Sequence, residues 1–311
     1  MQIVAPPTHR SGSLNTDQQT ALVRAIVQTV AYADVFDYPM TADEVHRYLI
    51  GRPATRGAVR GVLGNGKRVP SLLTRHGRYF TLAGREQAVD TRRQRAAVSA
   101  ELWRRAVRYG RLLGNLPFVR MVAVTGALAM DNVADGDIDY MIVTEPGRLW
   151  LCRALVVSVV RMASLRGVTL CPNYFLSERV LALEERNLFT AHEVAQMVPV
   201  VGFEIYDRLR QLNAWTAGFL PNAAGSPRRL HTVVERNRTQ RIFEVPLRSR
   251  LATPVERWEM QRKIRKLSSR SAEHAEAAFD TDWCKGHFGD HGQSTLKQFE
   301  QRLQSLEAQL A

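Results

Sequence analysis

The sequence predicts an α+β protein with a small mixed-sheet core, flanked by N-terminal helices ending in a hairpin and by a helical C-terminal region. Three observations carry that prediction. Apolar residues recur at helical spacing in the first sixty or so positions and then give way to a strand–turn–strand pattern over residues 71–82. Two apolar runs, 118–124 and 138–143, stand on either side of a glycine turn and a polar spacer. From residue 184 to residue 220 the pattern turns helical again. With 311 residues the chain is long enough for two domains and a helical third part.

Taken in order, residues 1–14 are polar and rich in Pro and Ser, and read as a flexible lead. Residues 16–33 place Leu22, Ile26, Val27 and Val30 on one helical face. After the break at Tyr38-Pro39, Thr41 caps a second helix with Glu44 at the capping-box position. Residues 55–63 form a third helix, and 71–82 two short strands turning at His76-Gly77. Three helices followed by a hairpin is the order of a winged helix. The fragment FDYPMTADEVHRYL resembles the opening of winged-helix domains fused to nucleotidyltransferases. A winged helix that reads nucleic acid would use Arg56 and Arg60 on its third helix, with Arg75 and Arg78 in the wing. The same arginines also fit a solvated face on a domain that only packs against its neighbour.

A basic amphipathic helix over 94–113 bridges to the core. Further on come a basic loop over 226–241, a basic helix over 254–268 and a polar amphipathic helix over 293–310. The formal net charge is +13, and only five of the 43 basic residues are lysine. Arginine's planar fork suits phosphate, so a polyanionic partner such as nucleic acid is one expectation; a bias toward arginine codons explains the residue choice but not the surplus charge. The apolar run 149–165 is interrupted by Arg153 and Arg161 and is short for a bilayer. No signal peptide is legible in MQIVAPPTHR, and Cys152, Cys171 and Cys284 make no disulfide framework. These features predict a cytoplasmic protein without a membrane partner.

The chemistry is concentrated in FVRMVAVTGALAMDNVADGDIDYMIVTEP. Residues 118–124 form a buried strand, Thr125-Gly126-Ala127 a turn, and 138–143 the next strand. Side chains at i and i+2 on a strand share a face, so Asp137 and Asp139 project together. Two adjacent carboxylates repel unless a cation holds them, and Mg²⁺ takes such oxygen ligands together with substrate phosphates. The ordered set resembles the nucleotidyltransferase superfamily of the DNA polymerase β type. Its signature is a Gly-Ser pair after a strand and, about ten residues on, an Asp-x-Asp heading the next strand.

The resemblance implies that Asp137 and Asp139 are the catalytic, metal-binding pair, with Thr125, Gly126 and Ala127 against the triphosphate. It implies Mg²⁺ as cofactor, a nucleoside triphosphate donor (ATP by default), and transfer of a nucleoside monophosphate with loss of pyrophosphate. The domains that follow are a winged helix at 15–90, a nucleotidyltransferase core with its bridging helix at 91–183, and a helical region at 184–311. The chain departs from the pattern twice. Ala127 stands where the serine is usual, and Asn173 stands on the strand that should bring a third carboxylate. Either Glu178 or Glu204 fills that gap, or the site has lost it. A second reading follows from the same departures: a non-catalytic nucleic-acid-binding or regulatory protein on a degenerate core.

Weaker signals lie elsewhere. Cys284, His287 and His291 have a spacing that zinc can use, although the stretch also reads as a surface turn. In a separate reading Lys285 and His287 reach nucleotide phosphates. Thr190 reads as a helix cap with Glu193 completing a capping box, which makes His192 structural, or else a polar residue near the cleft that contacts nucleotide.

Overall fold

The computed structural model describes residues 16–64, 72–228, 230, 238–248, 252–271, 279–285 and 291–310. The N-terminal lead lies outside the described residues.

Helix α1 (Thr16–Asp34) precedes β1 (Met40–Thr41), α2 (Ala42–Arg47), α3 (Arg56–Gly64), β2 (Leu73–His76) and β3 (Tyr79–Leu82). The capping box is present: Thr41 Oγ1 accepts from the Glu44 backbone, and the Glu44 carboxylate accepts from the Thr41 backbone N–H at 2.7 Å. The three strands form an antiparallel sheet in the order β1-β3-β2.

Helix α4 (Ala88–Gly114) leads to β4 (Val119–Val124), α5 (Gly126–Ala129), β5 (Ile138–Thr144), α6 (Leu149–Ser164) and β6 (Leu170–Ser177). There follow α7 (Leu188–Gln196), β7 (Val198–Val201), α8 (Phe203–Leu212), α9 (Thr216–Phe219), α10 (Arg238–Leu247), α11 (Ala252–Ser271), β8 (Trp283–Lys285) and α12 (His291–Leu310). The second sheet is five-stranded, in the order β7-β4-β5-β6-β8. Only β5 and β6 run parallel, joined by the α6 crossover; the other neighbours are antiparallel. The protein is thus a mixed α/β chain with two sheets.

The region expected to be helical with a basic loop and a surface turn supplies both edge strands, β7 and β8. Four residues are too few to show a period, so Val198-Pro199-Val200-Val201 carries only its β-branched composition as a signal. Pro199 is tolerated because β7 is an edge strand, where its missing N–H leaves no ladder bond open.

Alternation divides the buried residues of this sheet. Val122, Val124, Ile138, Tyr140 and Ile142 pack toward α4 and α6, whereas Met121, Ala123, Met141 and Val143 pack toward α8. A third cluster joins α1, α2 and α3 to α7 and α12, so the N-terminal helices share one core with distant segments. Side-chain carboxylates fasten α10 and α11 to the sheet and to α6. The Glu244 carboxylate accepts from the Phe118 N–H at 2.9 Å, and Glu256 accepts from the Trp150 and Leu151 N–H groups at the start of α6. Among the described residues no helix is long and apolar enough to cross a membrane.

Gly202, between β7 and α8, has φ +76°, and a Cβ there would overlap the Arg120 carbonyl oxygen on β4. Gly202→Ala should therefore cost roughly 2–4 kcal/mol, from left-handed strain plus backbone overlap, as read by urea unfolding. Gly167→Ala has a similar φ of +68° but open space around it, and should lose only the strain part. Equal losses at the two positions would show that overlap with β4 plays no part.

Candidate active site

Three segments meet at the lip of the second sheet. Strand β4 ends at Val124, and the Thr125 N–H donates to the Asp139 carbonyl at 3.1 Å, which ties the turn to the start of β5. Gly126 follows at φ +62°, and any Cβ there would overlap Asp139 Oδ2. The glycine thus lets the backbone lie directly against the carboxylate, a closeness that no other residue permits.

From the opposite side comes β6. Tyr140 pairs with Pro172 and Met141 with Tyr174, so Asn173 is an extra residue in the ladder. Such a bulge re-aims its side chain. Asn173 Nδ2 donates to Asp139 Oδ1 at 2.5 Å. Asp139 is thereby clamped between Gly126 and Asn173. Burial pushes its carboxyl up to about 6, the Asn173 bond pulls it back, and the Asp137 charge adds to the rise.

Asp137 stands just ahead of β5, where the Cys171 thiol donates to its Oδ2 at 3.6 Å. Burial and the charges of Asp137 and Asp139 push that thiol up to about 12, which makes it a poor nucleophile.

Thr125, Gly126, Ala127, Asp139 and Lys285 line one cavity of about 1070 Å³, whereas Asp137 is not among its lining residues. Lys285 on β8 pairs with Glu185 at 3.4 Å and lies 5.7 Å from the Tyr174 ring centroid. Neither acid expected to complete the site enters this cavity. Glu178 pairs with Arg120 at 3.1 Å, and Glu204 is exposed on the first turn of α8.

Glu184, Glu185, Glu193 and Asp280 do line it, and of these Glu193, from α7, is the one whose carboxyl feels the Asp139 charge. Burial pushes its carboxyl up to about 7; the Asp139 charge adds to that, and Lys285 opposes it. Reading Glu193 as half of a capping box hid this role. The cap is Asn187, whose side chain accepts from the Thr190 N–H at 2.8 Å, so Glu193 falls in the helix interior. An acid among the apolar helix neighbours Ala191, Val194 and Ala195 was the available signal.

The donor set suits a hard divalent cation. Asp139 and Glu193 hold raised pKa values chiefly because burial desolvates their carboxylates, and a bound cation would favour the charged forms. Among the described residues no three His, Cys, Asp or Glu side chains converge as a cage. In the zinc reading, Cys284 is buried on β8, His291 is exposed at the cavity wall, and His287 lies outside the described residues. No family model, curated protein or solved structure matches this chain.

Because Glu193 binds its proton more tightly in the fold than in the unfolded chain, native protein holds the extra proton between the two pKa values. Stability of the metal-free protein therefore falls as pH rises from the ordinary carboxylate range through about 7. Glu193→Gln should raise unfolding free energy by roughly 1–3 kcal/mol near pH 8 in EDTA, and the gain should shrink toward pH 5. A gain independent of pH would show that Glu193 is not held protonated by the fold.

Proposed function

We propose that the chain is a Mg²⁺-dependent nucleotidyltransferase of the DNA polymerase β type, with a winged-helix N-terminal domain, moving a nucleoside monophosphate from a triphosphate to an acceptor hydroxyl or phosphate. The observation that carries this reading is the contact of Gly126 with Asp139 in the wall of a large cavity, with Glu193 as a further acid. Strand, glycine turn, Asp-x-Asp and strand occur in the family's order, and the turn meets the second aspartate as that chemistry needs.

Asp139 would hold the cation, with Asp137 beside it. When bound, Mg²⁺ neutralises charge on the transferring phosphoryl group. The backbone at Thr125-Gly126-Ala127 gives the phosphates close access, and Lys285 supplies a cation at the same cavity. Glu193 takes the role expected of the third carboxylate. With its carboxyl near 7 it accepts the acceptor's proton as the oxygen attacks the α-phosphorus and the bond to pyrophosphate breaks. ATP is the default donor. The second reading, a non-catalytic nucleic-acid-binding or regulatory protein on a degenerate core, draws on the Asn173 bond to Asp139, which occupies an oxygen that a metal would otherwise use.

Melting temperature with each of the four nucleoside triphosphates, with and without Mg²⁺, tests the site. A ligand at a hundred times its Kd adds about 2.7 kcal/mol, so one nucleotide should give a clear Mg²⁺-dependent shift. Asp137→Ala and Asp139→Ala should each abolish it while the fold persists. Glu193→Gln should keep the shift but cut transfer of labelled nucleotide by roughly a hundredfold or more, the usual worth of a general base. Binding without transfer in the wild-type chain, over a broad acceptor panel, would select the second reading.

A further inference from the structure

Helix α6 is apolar on every side. Its inward stripe, Cys152, Val156, Val159 and Ala163, is buried in the core that the second sheet shares with α4. The opposite stripe is apolar as well. Leu151 and Leu155 are half-buried there, and Met162 and Leu165, further along the same face, are 48% and 89% exposed. The helix contains no Asp or Glu. A helix that is apolar all round belongs in an interior, yet among the described residues Met162 and Leu165 have no cover.

Helix α11 lies alongside. Its Glu256 accepts from the Trp150 and Leu151 N–H groups, and Met260 and Ile264 pack on the same core. Two helices packed on one side of a sheet turn their outer faces the same way. The acids of α11, Glu256 and Glu259, are both buried. The opposite, exposed face carries Val255, Trp258, Arg262 and Arg265. Trp258 is 58% exposed, and the Arg262 guanidinium lies 5.1 Å from its ring centroid. Arg161, Arg257 and Arg265 are exposed and pair with no carboxylate among the described residues. They differ in this from Arg60, Arg92 and Arg120, which pair with acids of the chain itself.

The face therefore offers apolar side chains and unpaired cations together. Nucleic acid rewards the arginines and can stack on Trp258, but it returns nothing for an aliphatic stripe. A second copy of the chain would cover the stripe, but an isologous contact sets the arginines of α11 against themselves. The interface of an anionic bilayer satisfies both features: acyl chains take the apolar groups and lipid phosphates take the arginines. The expectation of no membrane partner came from the lack of a signal peptide and of a spanning segment, and neither bears on binding at a membrane surface.

We propose that the outer face of α6 and α11 docks on an anionic phospholipid bilayer. Met162, Leu165 and Trp258 enter the headgroup layer, and Arg161, Arg257 and Arg265 bond lipid phosphate. None of these residues lines the large cavity, so the docking face stands whether or not the chain transfers nucleotide.

Flotation of the full chain with two kinds of vesicle tests this, one of phosphatidylcholine alone and one of phosphatidylcholine mixed with phosphatidylglycerol. The protein should float with the mixed vesicles and not with the neutral ones, and added salt should release it. Each arginine near an anionic surface is worth roughly fivefold in binding, so Arg257→Gln combined with Arg265→Gln should weaken flotation by about tenfold or more. Met162→Ser combined with Leu165→Ser leaves the charge unchanged and should also weaken it by about tenfold. All four positions are exposed, so melting temperatures should stay close to that of the wild type. Flotation with neither vesicle, or equally with both, would overturn the proposal. A serine pair that floats like the wild type, and binds a single-stranded oligonucleotide as tightly, would assign the face to nucleic acid instead. A dimer that the serine pair breaks, in a chain that floats with neither vesicle, would assign it to a second copy.

Discussion

The site depends on one close approach. Gly126 has no side chain, so the turn after β4 can rest on the Asp139 carboxylate while the Thr125 N–H bonds the Asp139 carbonyl. Asn173 presses from the other side through a bulge in β6. Between them Asp139 has little freedom, and its charge is fixed where desolvation is severe. The Asp139 charge adds to the rise that burial gives the Glu193 carboxyl. A loose carboxylate would turn to water and relieve the raised pKa values; this one is held in place.

The distribution of charge runs against the composition. Many arginines act within the structure. Arg120 lies among Glu145, Glu178 and Glu244 under the sheet edge, and Arg92 joins Tyr38, Glu44 and the Asp131 carbonyl. Arg60 pairs with Asp43, Arg75 bonds its own turn at Gly77, and Arg78 bonds Tyr79. The guanidinium fork suits such joints because it bonds several acceptors at once. The net charge of +13 is therefore a poor guide to where a ligand binds. Among its described lining residues the large cavity of this basic protein carries Asp139, Glu184, Glu185, Glu193 and Asp280 against Lys285.

Legibility in the sequence followed the length of each signal. The helices α1, α4, α11 and α12 have enough residues to show a period, and strands β4 and β5 are continuous apolar runs. Gly126 and Asp139 were legible as a motif because their spacing is local. Glu193 was not, since its partner is Asp139, more than fifty positions earlier, and nothing in a linear pattern reports that α7 faces the lip of β5. The capping-box reading at Thr190 was the nearest local alternative, and it was displaced by Asn187 three residues before. That Tyr32 of α1 stacks on His192 was hidden for the same reason: a helix face shows that a residue points inward, but not what it meets there. Edge strands β7 and β8 were too short to declare themselves.

The joining of α1 to α12 bears on how the cavity comes into being. Arg24 pairs with Glu307 across 283 positions, Arg302 bonds Asp34, and Phe299 packs on Tyr32 at 5.4 Å. His291 and Gln293 at the start of α12 line the cavity. Ribosomes add about 5–20 residues each second, so roughly a quarter-minute to a minute separates the emergence of these two helices. During that interval Tyr32 of α1 lacks the cover that Phe299 gives it. A nascent chain that lacks α12 has the glycine turn and the aspartates but not yet the part of the cavity wall that His291 and Gln293 supply.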